Sequence, residues 1–125
     1  MIHERHFSVA QANAVLPWVR ERLERLRDAQ GRLGDEEARE ALAEAGPGNG
    51  GGDPGRVVSE AFLELRNELI AFQEAGVILR ELERGLVDFP SLMDGREVYL
   101  CWVDGEDEVG YWHEIEAGYA GRQPL

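Results

Sequence analysis

VSEAFLELRNELIAFQEAGVILRELERGL, residues 58–86, is the stretch whose reading decides the fold. Its apolar side chains stand at Val58, Phe62, Leu65, Leu69, Phe72 and Leu79, with Gly76 in the slot between the last two. Steps of four and three keep one helix face turned toward a partner over many turns. A second set, Leu63, Ile70 and Val77, repeats every seven residues beside it. The apolar surface is therefore wider than one helix–helix contact requires, which implies a homodimer that completes a four-helix arrangement.

The partner helix lies upstream. Ser8 and Gln11 have the spacing of a capping box, and Leu16, Val19, Leu23, Leu26 and Leu33 continue a heptad with Gln30 in one of its slots. Pro17 should bend this helix near Asn13 to Pro17, because its ring and missing N–H oppose a regular turn. Helix 1 is expected over about residues 8–45, weakened by Gly31 and Gly34, with Asp35 capping its last piece. The Gly- and Pro-rich run 46–55 reads as a mobile loop and lacks the strand, Lys and Gly spacing of a phosphate-binding loop. Helix 2 is expected over about 56–84, with Gly76 allowing close backbone approach and Gly85 as its left-handed cap.

After Gly85 the pattern changes. Leu86 to Pro90 reads as extended and Ser91 to Gly95 as a connecting loop. Arg96 to Val103 is the best strand, rich in β-branched and aromatic residues. A four-residue turn over Asp104 to Asp107 would pair Trp102 with Val109, Leu100 with Tyr111 and Val98 with His113, and put Tyr99 opposite Trp112 and Cys101 opposite Gly110. The expected architecture is α+β: a long antiparallel, coiled-coil-like helical hairpin, then a β-hairpin over about 96–115 and an irregular tail, 116–125. One domain accounts for 125 residues.

Composition excludes several functions. A net charge of −12, with every basic residue an Arg alternating with Glu along the helices, makes nucleic-acid backbones poor partners. No apolar run reaches the ~18 residues of a membrane span. A single cysteine precludes an internal disulfide and fits a reducing cytoplasm. There is no C-x-x-C and no Gly-x-Ser-x-Gly, so the common thiol and serine-hydrolase signatures are absent.

The residues with chemistry are scattered. His113 could act as a base or metal ligand with Glu114 or Glu116 orienting it, although a lone half-buried His more often pairs with a carboxylate or carbonyl. Glu106, at the hairpin tip, is roughly 17–20 Å from His113 at 3.3 Å per residue, too far to share an ion. His3 and His6 have an H-x-x-H spacing on a frayed terminus, and mid-strand Cys101 reads as an inert buried thiol. Trp102 and Trp112 could line a cleft with Arg96 and Arg122, whose guanidinium groups suit carboxylate or phosphate; as a packed core, Asp88 would instead pair with Arg96 or Arg122.

Read together, Gly85-Leu-Val-Asp-Phe-Pro90, Gly95-Arg-Glu-Val-Tyr-Leu-Cys-Trp102, Gly105-Glu106, Tyr111-Trp-His-Glu114 and Gly118-Tyr-Ala-Gly-Arg-Gln-Pro124 resemble the domain of unknown function 2203 family of small bacterial proteins. The opening from Phe7 through Pro17 is similar to that family's start, so the resemblance spans nearly the whole chain except the Gly-rich insert. It implies a prokaryotic cytoplasmic protein and brings no activity with it. Its motif positions point to Asp88, Arg96, Trp102, Glu106, Trp112, His113 and Arg122.

The functional expectation is a non-enzymatic interaction or scaffold module, dimeric through its helices, with the β-hairpin and tail meeting an unnamed protein partner. The alternative is a small-molecule or metal site, or an enzyme, built from His113, Asp88, Arg96 and Arg122, with Glu114 beside His113 as metal ligand and a small anion as ligand. Neither substrate nor cofactor is named by any motif.

Overall fold

The computed structural model describes residues 2–34 and 53–125. Among the described residues its elements are helices α1 (Val9–Leu33) and α2 (Asp53–Ala75), strands β1 (Ile78–Glu81), β2 (Leu86–Met93), β3 (Arg96–Val103), β4 (Tyr111–Glu114) and β5 (Gln123–Pro124), and a 3₁₀ turn, Tyr119–Gly121. The class is α+β. The weak helical piece at 35–45 and residues 46–52 of the Gly-rich run lie outside the described residues. The chain divides into two compact units, one of Met1–Leu23 and Ala71–Leu125, the other of Glu24–Ile70.

α1 starts with a capping box: Ser8 N–H donates to Gln11 Oε1 at 2.9 Å and Gln11 N–H to Ser8 Oγ at 3.1 Å. It then runs through Pro17 as one continuous element. α2 departs from expectation at both ends. It begins at Asp53, inside the supposed loop, because Pro54 in a first turn sacrifices no hydrogen bond. It stops at Ala75 because Gly76 takes φ +74°. Gly76 N–H donates to Gln73 O and Val77 N–H to Phe72 O, a Schellman cap with Phe72 and Val77 both buried. Residues 78–81, whose Leu79 extended the heptad, form β1 instead. Gly85 does adopt positive φ, but in the turn joining β1 to β2.

The sheet replaces the expected two-stranded hairpin and irregular tail. Its five strands lie in chain order, and each pair is antiparallel. β2 and β3 are joined by Asp94-Gly95, both at positive φ (52° and 80°), the two-residue turn that suits the twist of a hairpin. The expected loop at 91–95 is thus mostly strand. Pro90 sits within β2 without harm: it lies beyond the last β1 pair, Ile78 with Asp88, and its O accepts Phe7 N–H at 2.7 Å, so its missing N–H costs no bond to β1.

The β3–β4 register is one residue from the expected one: Leu100 faces Trp112, Tyr99 faces His113 and Cys101 faces Tyr111. The four-residue turn is wrong because residues 104–110 all stay outside the ladder. There Glu106 folds back, its N–H bonding Val103 O and its carboxylate accepting Val103 N–H. A slip of one exchanges the faces of a strand. Val87, Phe89, Val98, Leu100 and Trp102 share one buried face, on which Phe7 and the N-terminal half of α1 rest, with Phe7 against Phe89, Asn13 Oδ1 accepting Val109 N–H, and Arg20 over the Trp102 ring. Asp88, Tyr99, Cys101 and His113 share the other.

In the second unit Leu26, Ala29 and Ala61 are buried, and Arg25 pairs with Glu68, Arg32 with Glu64. Among the described positions of α2, Ala61, Glu68 and Phe72 are buried; Phe72 belongs to the expected seam, and the other two lie one residue off it. Phe62 and Leu69 of that seam are 58% and 45% exposed, beside exposed Leu63 and Ile70.

Candidate functional site

The meander brings together an acid, a thiol and an imidazole from three adjacent strands. Asp88 on β2 stands directly opposite Cys101 on β3, and His113 on β4 stands opposite Tyr99, two residues along the same face. All three are buried, and one donor atom of each lies within 4.8 Å of the others. They are the only such group of three metal-ligating side chains found among the described residues.

Hydrogen bonding fixes how His113 is presented. Its Nδ1 lies 2.7 Å from Glu114 O, which can only accept, so Nδ1 carries a proton. Nε2 then faces Asp88 Oδ1 at 3.0 Å. A neutral ring protonated at Nδ1 offers a lone pair there, toward an oxygen that also accepts. The approach is closed either by a shared proton or by a cation.

Two guanidinium groups flank the cluster. Arg80 Nε donates to Asp88 Oδ2 at 2.9 Å, and its head lies over the Tyr99 ring. Burial works against the Arg80 charge, but the bond and charge of Asp88 outweigh it and hold the guanidinium pKa above its ordinary value. Burial, followed by the Asp88 charge, pushes the Cys101 thiol up to about 11, with Arg122 acting in the opposite sense. The thiol is therefore no ready nucleophile at neutral pH.

A cavity of about 320 Å³ lies over Asp88 and His113, with Arg80, Ile115, Glu116 and Tyr119 in its walls. Beyond it, Glu106 clasps the tail: its carboxylate accepts from both terminal nitrogens of Arg122 at 3.0 and 2.8 Å. Arg122 lies 3.9 Å over the Tyr111 ring. Burial opposes the Glu106 charge, yet Arg122 and the Val103 N–H hold its carboxyl below the usual range. The Glu106 bond comes first among the causes that raise Arg122.

Of the residues singled out in the sequence, Asp88 and His113 come together, and Glu106 and Arg122 form a separate pair. Arg96 instead pairs with the Glu114 carboxylate at 2.6 Å and sits over the Trp112 ring. Glu114 therefore serves His113 through its backbone only. Trp102 is buried on the opposite face, its indole N–H donating to Glu106 O. Asp88 pairs with neither Arg96 nor Arg122. His3 and His6 have separate partners, the Tyr99 hydroxyl and Glu97.

Sequence reasoning missed Cys101 and Arg80 as members of the site. A signal for the first existed: a two-residue Asp94-Gly95 turn pairs Met93 with Arg96, and counting back places Cys101 opposite Asp88. Arg80 had none, because its segment carries a helical period.

No helix among the described residues is long and apolar enough to cross a membrane. The model of a family described as an uncharacterized conserved protein, DUF2203, matches residues 5–125. No curated protein and no solved structure matches the chain.

Proposed function

We propose, for a chain that belongs to the DUF2203 family, that it is a small-ligand-binding protein whose site is the cavity above Asp88 and His113. One observation carries this reading: a carboxylate–imidazole pair, both side chains 3% exposed or less, forms the floor of a space of ligand size. Burying such a pair is costly unless every polar atom is engaged, and an organised polar floor beneath a cavity with both apolar and polar walls is how a small molecule is oriented. Arg80 and Tyr119 in the walls favour a polar, acidic ligand. Thermal-shift measurements with a panel of carboxylates, phosphates and nucleotides, on wild type and Asp88→Asn, test it. A ligand that stabilises wild type and loses at least tenfold in affinity in the variant supports the reading; no stabilisation by any class would remove it.

A second reading is a non-enzymatic cytoplasmic interaction module, with α1 and α2 as a coiled-coil-like hairpin and a homodimer formed through the helices. The exposed Phe62, Leu63, Leu69 and Ile70 of α2 support it, since an apolar stripe of this kind suits association. The acidic balance of the chain, −12, disfavours nucleic acid as the partner. Sedimentation equilibrium at micromolar concentration should show a dimer that Leu69→Ser weakens, and a monomer would exclude it.

A further inference from the structure

We infer that Asp88, Cys101 and His113 form a centre for a divalent transition ion of the zinc class, with one coordination position left toward the cavity. This deepens the ligand-binding reading by naming what the floor of that cavity holds.

The donor set is the first ground. A carboxylate oxygen, a thiolate sulfur and an imidazole nitrogen suit zinc and its neighbours and not magnesium or calcium, which prefer oxygen alone. Three protein donors with an open fourth position is the pattern of reactive zinc sites, as opposed to closed structural ones.

Geometry supplies the second. Ligands of a tetrahedral zinc ion lie roughly 3.3–3.7 Å apart, given bonds of about 2.0–2.3 Å. Here Nε2 and Oδ1 are 3.0 Å apart, and all three donor atoms lie within 4.8 Å of one another. These separations are on the scale that the ion requires.

The surroundings of the donors supply the third. A metal-bound His almost always gives its other N–H to a carbonyl or carboxylate, which aims the free lone pair at the ion. The Nδ1 bond to Glu114 O does this, and Arg80 similarly holds the second oxygen of Asp88. Asp88 and His113 also line the cavity, which provides a path for the ion and a place for water or a small acidic ligand on it.

Binding conserves charge simply. The ion takes the sulfur, the Nε2 lone pair and an Asp88 oxygen, while the thiol proton and any proton held between Asp88 and His113 leave to solvent. A dipositive ion then meets two anionic donors; Arg80 beside Asp88 adds one positive charge, while that of Arg122 is offset by Glu106.

The experiment is a titration of the full chain, stripped with EDTA, with Co²⁺ alone at pH 7.5, followed optically. The expected result is one Co²⁺ per chain, with the visible bands of a four-coordinate ion and a near-ultraviolet sulfur-to-cobalt band, both abolished by equimolar Zn²⁺. Cys101 is the sole cysteine, so the sulfur band in unaltered protein identifies the donor even if variants fold poorly. His113→Gln should weaken Co²⁺ binding at least tenfold, whereas His3→Ala/His6→Ala should leave it unchanged. No sulfur band in wild type, or binding lost in the His3/His6 variant, overturns the assignment. Thermal-shift binding of an organic ligand by the same EDTA-treated protein would leave the cavity reading standing while the metal centre fell.

Discussion

Asp88 Oδ1 lies 3.0 Å from His113 Nε2 although the two residues come from strands that are not neighbours, with β3 between them. The pair thus spans the middle of the sheet, and its loss would be felt on both sides. Asp88→Ala removes the carboxylate from Arg80 and leaves His113 Nε2 without a partner in a buried place. Breaking a buried pair this way costs about 3–5 kcal/mol. Urea unfolding should show a fall of that size, and an unchanged midpoint would mean that the pair contributes nothing net.

Cys101 is fully buried and its thiol is pushed up to about 11, so at pH 8 it remains protonated. The folded, metal-free chain should react with Ellman's reagent at least about a hundredfold more slowly than the same chain in urea. Equal rates would show that the central strand opens freely.

The clasp between Glu106 and Arg122 gives a dependence on pH. The Glu106 carboxyl is held below its ordinary value of 4.5 in the folded chain. Its contribution is therefore present above about pH 4.5 and lost as pH falls through the folded value. Glu106→Gln should cost about 1.5–3 kcal/mol at pH 7, the range for a hydrogen bond to a charged group. The difference between wild type and variant should shrink on acidification. A gap of the same size at pH 7 and below the folded value would contradict the assignment of the effect to this carboxylate.

Gly76 ends α2 at φ +74°, and an added Cβ would meet Arg5 Cδ at 3.2 Å. Gly76→Ala should destabilise by about 1–2 kcal/mol, the cost of a left-handed residue bearing a side chain. Urea denaturation with an unchanged slope is the check, and a neutral substitution would remove the cap as the reason the helix stops there.

That stop explains much of what the sequence did and did not reveal. Local chemistry was legible: the Ser8–Gln11 box, the positive φ of Gly85 and the strand from Arg96 to Val103 all follow from residues within a few positions of one another. Ile78 and Leu79 misled because a strand of four residues is shorter than one heptad, so its apolar side chains also satisfy a helical period. The register of β4 was missed because Glu106 and its loop, held from within by Val103 and from the tail by Arg122, fix a spacing that no dipeptide signals. Asp88 and His113 were visible as titratable residues. Their junction with Cys101 was not, since one step of register decides which side of the ribbon a residue occupies.

The plain serial order of the strands has a consequence for how such a protein can vary. Asp88 and His113 are 25 positions apart, with Cys101 between them, so the whole donor set is spelled in one short uninterrupted passage. The Gly-rich tract precedes that passage. Lengthening or trimming the tract alters the size of the protein without changing a single interval among the donors, so descendants can diverge freely there and keep the same pocket floor.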